Sequence, residues 1–414
     1  MKKDGCVNFY IGLLAISFVL ITMVQGGFFP KIYISASILI TISMAIALHT
    51  TDREKRNQIF NKNSRIHFVI LACFILCYLI SAICYGCCKN MLLRFIYVFV
   101  LLEISIISRI LPDEIRIWMY KIIVLCGYSS VAIGFLPYLD VPVANILVNF
   151  RLMGVFQYAN TYAVFLGMIL ILQEKYFNGS KELQVARPLV VVAMLLTMSV
   201  GGVGSYILVH LLYKDKNRIF ELIYGAFFAG LVYIVKILNW FSGFVLVILF
   251  LALLIPILTK KRRDWEKWEN VSIFLVGVAE IICAGLLVGH RALGTCYERL
   301  QQMRDGSIII SKNFLYGIGA GNLSYYLNQM QADYKVNIIH NSYVQIGVEA
   351  GIIACILFIL LILNILFEGK RCKEKFVQKI SIMAAIHFLI DIDFYFAGFL
   401  WVWLFVTSSN LKKI

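Results

Sequence analysis

The chain has 414 residues, of which 61% are apolar and only 15% are charged. Soluble domains are nearer half apolar and a quarter charged, so this composition excludes an ordinary soluble globule. Many runs of roughly 20 apolar residues, each long enough to cross the hydrocarbon core of a bilayer, predict a polytopic helical membrane protein. The net charge of +15 comes from short basic segments between these runs, which indicates membrane orientation and not nucleic-acid binding.

Ten apolar runs are candidate single spans, and they fall in chain order at 8–27, 31–49, 66–86, 93–110, 117–137, 155–173, 218–238, 241–259, 270–289 and 341–367. Lys2 and Lys3 precede the first run, which lacks a small-residue cleavage site, so we expect it to remain as an anchor. The eleven cysteines give no metal-binding framework, because most lie inside apolar runs as small hydrophobic groups.

Two further apolar stretches, 187–213 and 380–409, are long for one crossing and are interrupted, the first by Ser199–Gly204 and the second by Asp391–Asp393. The strongly basic segments 50–65, 214–218, 260–267 and 370–379 are expected in the cytoplasm. Two segments on the same side of the membrane must be joined by an even number of crossings. Each long stretch is therefore predicted to form a hairpin of two crossings, the first with its glycines at the outer turn. The total is then 12 to 14 crossings.

The predicted fold is therefore an all-α polytopic membrane protein with a large external loop, 290–340, before the span 341–367. We divide it into N-terminal transmembrane helices, 1–140, and a second transmembrane region, 141–414, that includes this loop. The same parity places Arg151 on the outside.

Arg151 lies just before a span, and its guanidinium can bind phosphate oxygens bidentately while Gly154 lets the chain pack closely. The structural alternative is an arginine that snorkels to the membrane interface. The external loop carries five basic residues, Arg291, Arg299, Arg304, Lys312 and Lys335, where the positive-inside tendency disfavours them. This excess predicts an anionic ligand, and the alternative is a solvated helix surface.

Residues 293–312 have the pattern of an amphipathic helix that lies in the membrane interface. At roughly 100° per residue, Arg299 and Met303 share a face and Arg304 points away from it. The glycines of Gly317-Ile318-Gly319-Ala320-Gly321 lack the context of a nucleotide-binding motif. They suit a tight turn whose backbone N–H groups can point toward an anion.

His340 and Asn341 stand at the start of the span 341–367. A histidine there can be neutral near pH 7 and accept a proton from a hydroxyl group, since its ordinary pKa is about 6.5. The alternative is an interfacial histidine next to Asn341 as the helix cap. Glu349 lies two turns into the span, roughly 13 Å from His340 and on the opposite face, so it is not a direct catalytic partner. His387 and Asp391 have the spacing of a hydrogen-bonded structural pair.

In order along the chain, four segments resemble the O-antigen ligase and polymerase superfamily of membrane glycosyltransferases. These segments are RLMGVFQYANTYAVF from Arg151, the helix from Arg299 leading to Gly317-Ile318-Gly319, HNSYVQIGVEAG from His340, and HFLIDIDF from His387. The chain departs from the family pattern at Met303, Phe314 and Val200, where the family tends to have Trp, Pro and Arg. The resemblance covers residues 151–409, and the first 140 residues match only as generic spans.

The resemblance implies a C-type, inverting, metal-independent transfer without a cofactor, from an oligosaccharide linked to undecaprenyl diphosphate. His340 would be catalytic, and the diphosphate would be bound by Arg151, Arg299 and Arg304, with Gly317, Gly319, Asn341 and Glu349 in support. The acceptor would be a glycan or a lipid, a chain-length regulator is a further expected partner, and nucleic acid is not. The enzyme would work on the outer face of the bacterial inner membrane.

A polymerase that joins repeat units of a surface polysaccharide is the first choice within this resemblance, because no segment is dedicated to a special acceptor. A ligase that moves the finished glycan to lipid A core or another acceptor is the second. A flippase or secondary transporter predicts inverted repeats and charges near the bilayer midplane, and the sequence shows no such repeat. A non-catalytic subunit that controls chain length would tolerate alanine at His340.

Overall fold

The computed structural model describes residues 2–54, 56, 62–238 and 294–408, and most of these residues are helical. Seven helices within them are long and apolar enough to cross a membrane. The predicted all-α, multi-pass membrane protein is confirmed at this level. The crossing number of 12 to 14 and the external position of 290–340 stay predictions, and the predicted spans 241–259 and 270–289 lie outside the described residues.

The helices are numbered here in chain order: α1 (Lys2–Met23), α2 (Pro30–Thr50), α3 (Lys62–Cys84), α4 (Lys89–Ile110), α5 (Asp113–Phe135), α6 (Ala159–Tyr176), α7 (Lys181–Leu196), α8 (Val200–Leu212), α9 (Lys216–Leu238), α10 (294–312), α11 (Leu323–Gln329), α12 (Ser342–Arg371), α13 (Lys375–Phe388) and α14 (Ala397–Ser408). Two short strands, β1 (Leu147–Val148) and β2 (Arg151–Leu152), pair in an antiparallel hairpin. The segments long enough to span lie in α1 to α5, α9 and α12.

The chain forms two compact units. Unit 1 contains Met1–Ile122 and Tyr297–Ile414, and unit 2 contains Ile123–Cys296. The sequence divides the chain differently, into 1–140 and 141–414, because only the second part resembles a known family. That division stays a prediction.

Helix α14 is the core of unit 1. All twelve of its residues are buried, including Trp401 and Trp403. Twelve residues give a helix of about 18 Å, which is short of the hydrocarbon thickness of about 30 Å. The helix is uniformly apolar because α1, α4 and α13 pack around it. The chain between α13 and α14 breaks at 389–396, where the sequence predicts an interruption at Asp391–Asp393.

Helix α12 is broken at Gly351, which has a φ of 86°. A side chain there would place its Cβ 2.3 Å from the carbonyl oxygen of Leu315, so only glycine fits. The segment 314–319 lies against this break, and the Phe314 carbonyl accepts a 3.0 Å hydrogen bond from the Ile352 N–H. On the other side of the break, Gly306 of α10 lies close to Val344, which brings α10 against the start of α12.

Unit 2 is built on α6, which is buried from Ala159 to Gln173 except at the partly exposed Asn160 and which contacts α7 and α8. The stretch 187–213 is interrupted, but its glycines do not form the turn that the sequence predicts. The break lies at Thr197–Ser199, where the Ser199 hydroxyl caps α8 by accepting the Gly202 N–H at 3.1 Å. The glycines instead occupy the first turns of α8, and a Cβ on Gly202 would lie 2.6 Å from the Ala163 side chain.

Candidate functional site

His340 immediately precedes α12 and contacts Gln302 of α10. The Gln302 Oε1 atom accepts the backbone N–H of His340 at 3.1 Å and lies 3.0 Å from its Nδ1. Gln302 is buried, whereas His340 keeps part of its side chain accessible. The sequence places His340 correctly at the helix start, but nothing in the local pattern identifies Gln302 as its partner.

The contact with Gln302 determines the tautomer of His340. The backbone N–H at 340 requires an acceptor, so the Gln302 atom facing it is the carbonyl oxygen and not the amide nitrogen. An oxygen at this position can pair with Nδ1 only if Nδ1 carries the proton. In the neutral ring the lone pair is then on Nε2, which is the form that a general base needs.

Burial lowers the pKa of His340 below its ordinary value of 6.5. The carboxylate of Asp391 acts in the opposite direction, and the guanidinium of Arg299 lowers the pKa again. The imidazole is therefore neutral at pH 7. A proton that it accepts would still be stabilised by Asp391.

Asn341 and Ser342 connect the start of α12 to the break between α13 and α14. The Asn341 Oδ1 atom accepts the Val344 N–H at 3.0 Å, which confirms Asn341 as the helix cap. Its side-chain N–H donates to the Leu389 carbonyl at 2.7 Å, and the Ser342 hydroxyl donates to the Asp391 carbonyl at 2.7 Å. These three bonds fix the backbone on which His340 is placed.

Arg299 lies one turn before Gln302 on α10 and binds the same break. Its Nη1 donates to the Ile390 carbonyl at 2.6 Å, and its Nη2 donates to Asp391 Oδ2 at 3.1 Å. Its Nε–H is buried and has no hydrogen-bond partner within the part of the chain that the structure describes. Arg299 therefore lies near His340 as an ion pair with one donor unsatisfied.

Arg304 is on the other side of α10, as the helical spacing predicts. It is exposed and forms no ion pair with any described residue. The structure thus separates it from Arg299 and His340, and its predicted role in binding a diphosphate has no structural support in unit 1.

The glycine turn is used for packing, and three of its N–H groups donate to backbone carbonyls and are therefore not available to an anion. The N–H groups of Ile318 and Gly319 donate to the carbonyls of Val348 and Glu349 at 2.8 and 3.1 Å, and that of Gly317 donates to Asn313. These carbonyls are available because α12 is broken just beyond them. A Cβ on Gly317 would lie 2.4 Å from the Val348 carbonyl oxygen, and one on Gly319 would lie 2.4 Å from Met91.

Glu349 is the centre of a buried polar cluster two turns into α12. Its Oε2 accepts the Tyr78 hydroxyl at 3.1 Å and its Oε1 accepts the Gln345 side-chain N–H at 3.2 Å. The Tyr395 hydroxyl also donates to Oε1. Gln345 in turn accepts the Ile339 N–H at 2.8 Å, so the cluster supports the residue before His340.

Arg94 of α4, which no motif in the sequence singles out, also belongs to this cluster. Its Nε is 3.7 Å from Glu349 Oε2, and its guanidinium stacks 3.7 Å above the centre of the Tyr395 ring. The available signal was an arginine near the start of an apolar span, a place where charged groups are rare and paired.

Arg151 begins β2 in unit 2, directly after a two-residue turn in which Asn149 and Phe150 have φ of 50° and 61°. Its Nε donates to the Thr197 carbonyl at 2.6 Å, and its Nη2 donates to the Asn160 side chain. Arg151 thus connects the hairpin to the start of α6 and to the break before α8. Its convergence with Arg299 and His340 stays a prediction.

His387 does not pair with the side chain of Asp391. It pairs with Asp393, and both side chains are fully buried. The helix ends at Phe388, so the chain turns and brings residue 393 to the imidazole while Asp391 faces Arg299. Among the described residues, no group of three or more His, Cys, Asp or Glu side chains could hold a metal ion.

No protein-family model matches this chain, and no curated protein is significantly similar to it.

Proposed function

We propose that the protein is a bacterial inner-membrane glycosyltransferase, and specifically a polymerase of surface-polysaccharide repeat units. It would take a glycan from undecaprenyl diphosphate at the outer face of the membrane. The observation that carries this proposal is the pairing of His340 with Gln302, because it leaves a neutral imidazole with its basic nitrogen unprotonated at the start of a membrane helix.

In the proposed reaction, Nε2 of His340 takes the proton from an acceptor hydroxyl. The hydroxyl oxygen attacks the anomeric carbon of the donor, and the bond between that carbon and the diphosphate oxygen breaks. The products are the extended glycan and undecaprenyl diphosphate, and the imidazolium holds the proton. Asp391 supports the imidazolium, since its negative charge raises the pKa of His340.

Arg299 would stabilise the charge that develops on the leaving diphosphate. It lies one helical turn from Gln302 and has one buried N–H without a partner among the residues that the structure describes. Its ion pair with Asp391 implies that the diphosphate shares this guanidinium with the carboxylate or replaces it. Arg151 enters the proposal through the family resemblance alone.

The test is glycan transfer by the purified protein with lipid-diphosphate repeat units and a chelator in place of metal. Wild type is compared with His340→Ala and Arg299→Ala, and His49→Ala is the matched control because His49 is an exposed histidine at the end of α2. The proposal expects lengthened lipid-linked chains with wild type and the control, and none with His340→Ala or Arg299→Ala.

Two other outcomes would replace the proposal. Transfer only after addition of a lipid or protein acceptor would make the protein a ligase. No transfer under either condition, with translocation of lipid-linked glycan intact in vesicles, would make it a flippase.

A further inference from the structure

The guanidinium of Arg94 is nearly buried, yet the fold does not use its hydrogen-bonding capacity. Only 11% of the side chain is exposed. The nearest carboxylate oxygen, Glu349 Oε2, is 3.7 Å from Nε, which is too long for a hydrogen bond. Arg94 makes no hydrogen bond with any residue that the structure describes. A guanidinium has five N–H donors, and leaving them unsatisfied in such a place is costly.

The neighbours of Arg94 hold the guanidinium without consuming its donors. The ring of Tyr395 lies under it at 3.7 Å, and that of Tyr97 lies 5.0 Å away. Stacking on an aromatic face leaves the N–H groups in the plane of the guanidinium available. Glu349 already accepts from Tyr78, Tyr395 and Gln345, so it balances the charge of Arg94 without hydrogen bonding to it.

A second arginine of the same helix differs from Arg94 in whether solvent reaches its donors. Arg109, near the other end of α4, is only 3% exposed and donates from Nε to the Ser408 carbonyl at 3.3 Å. Its two terminal nitrogens are closed off from solvent and have no hydrogen-bond partner among the described residues, so unsatisfied donors alone do not mark a ligand site. Arg94 has no such closed nitrogen, so its donors can reach a ligand.

The depth of Arg94 suits a phosphate. Arg94 is five residues after Lys89, the first residue of α4, which is about 7.5 Å along the helix. Asn90 and Met91, one turn before it, contact Gly321 and Gly319 of the glycine turn. The guanidinium therefore lies near the end of α4 that contacts the glycine turn, and an arginine near the end of a membrane helix can extend its guanidinium to the level of the lipid phosphates.

We infer that Arg94, held on Tyr395, is a binding site for a phosphate group. The phosphate can belong to a lipid head group or to a soluble molecule, and both present the same oxygens to a guanidinium. The inference rests on the proposed function only in assigning this phosphate to the diphosphate of the lipid carrier.

The experiment measures calorimetric binding of farnesyl diphosphate and of inorganic pyrophosphate to the purified protein in detergent. Arg94→Gln is expected to weaken binding by about 10- to 100-fold, which is the loss of charge-assisted hydrogen bonds. Glu349→Gln is expected to tighten binding, because it removes the negative charge that competes for Arg94. If Arg94 and Glu349 formed only a structural ion pair, Glu349→Gln would not increase the affinity. Lys89→Gln, an exposed charge on the same helix, controls for general electrostatics and is expected to change binding by less than about 2-fold.

Arg94→Gln leaves the buried Glu349 carboxylate without its counter-charge and can fail to fold. The double variant Arg94→Gln with Glu349→Gln removes both charges, so it tests binding in a protein expected to melt like wild type. Wild-type affinity in a folded double variant would overturn the inference, and so would an equal loss in Lys89→Gln. Tighter binding of farnesyl diphosphate than of pyrophosphate assigns the site to a lipid phosphate, and equal binding assigns it to a soluble one.

The same variants separate this inference from the proposed function. Binding that depends on Arg94, in a protein that transfers no glycan, would reject the glycosyltransferase and keep the phosphate site. Transfer by wild type, with binding of farnesyl diphosphate and pyrophosphate unchanged in Arg94→Gln, would reject the site and keep the enzyme.

Discussion

The start of α12 and the Glu349 cluster, which lies two turns deeper in the same helix, differ in how completely their polar groups are hydrogen-bonded. Glu349 is 2% exposed, and both of its oxygens accept hydrogen bonds, Oε2 from Tyr78 of α3 and Oε1 from Gln345 of its own helix and from Tyr395. His340 has one nitrogen fixed by Gln302, while the other is not consumed by the fold. A satisfied, enclosed group contributes to stability, whereas an oriented group with an available lone pair can react.

Replacing His340 by alanine should give the largest effect at the start of α12. Loss of a general base lowers the rate by about 10²- to 10⁴-fold, so glycan transfer should fall by this factor. The melting temperature should change little, because the backbone at 340 is held by Asn341 and Gln345. Transfer is measured with lipid-diphosphate repeat units. Activity of the variant within a few-fold of wild type would show that His340 is not a general base.

Replacing Glu349 by alanine should show the reverse behaviour. It leaves Arg94 without its counter-charge and removes the acceptor for Tyr78, Tyr395 and Gln345, which should lower the free energy of unfolding by about 3–5 kcal/mol. Unfolding by denaturing detergent measures this value. Glu349→Gln, which keeps an acceptor oxygen, should cost less, and equal losses for Ala and Gln would argue against the cluster as described.

Two arginines of α10 provide a comparison on one helix. Arg299→Gln should lower the transfer rate by about 10²- to 10³-fold if it stabilises the leaving diphosphate. Arg304→Gln should change the rate by less than about 2-fold, because Arg304 is exposed and removed from His340. Equal effects of the two substitutions on the initial rate would mean that the helix face does not determine function.

The pH dependence gives a smaller but directional test. His340 must be neutral to accept a proton, so activity should be present at pH 7 and lost as the pH falls through its pKa, which burial holds below 6.5. Gln302→Glu places a carboxylate at the atom 3.0 Å from Nδ1, which raises the pKa of His340. The acid limb of the pH–rate profile should therefore move to higher pH, and an unmoved limb would exclude His340 as its origin.

The same lowered pKa has a consequence for stability. The unfolded chain binds a proton at His340 more readily than the folded one does, so the free energy of unfolding decreases as the pH falls below 6.5. His340→Ala removes this contribution. Thermal melting of wild type and of His340→Ala is compared at pH 7 and below pH 6.5. The melting temperature of wild type should fall more than that of the variant as the pH is lowered.

Local features of the chain were predictable from local patterns. Apolar runs of spanning length predict α1 to α5 and α12, because backbone groups inside a membrane must pair within their own segment. Asn341 is a cap because its side chain bonds to an N–H three residues away. The role of the glycine turn could not be predicted from local patterns, because the carbonyls that accept from two of its N–H groups belong to the break in α12, about 30 residues away.

The sequence by itself therefore determined the membrane class, the long apolar helices α1 to α5 and α12, the break at Asp391–Asp393 and the place of His340 at a helix start. Only the tertiary structure decided that Gln302, 38 residues away, orients His340, and that Asp391, 92 residues away, pairs with Arg299. Tyr78 reaches Glu349 across 271 residues. Each buried polar group must find a partner on another helix, and hydropathy along one helix does not encode which helix faces it.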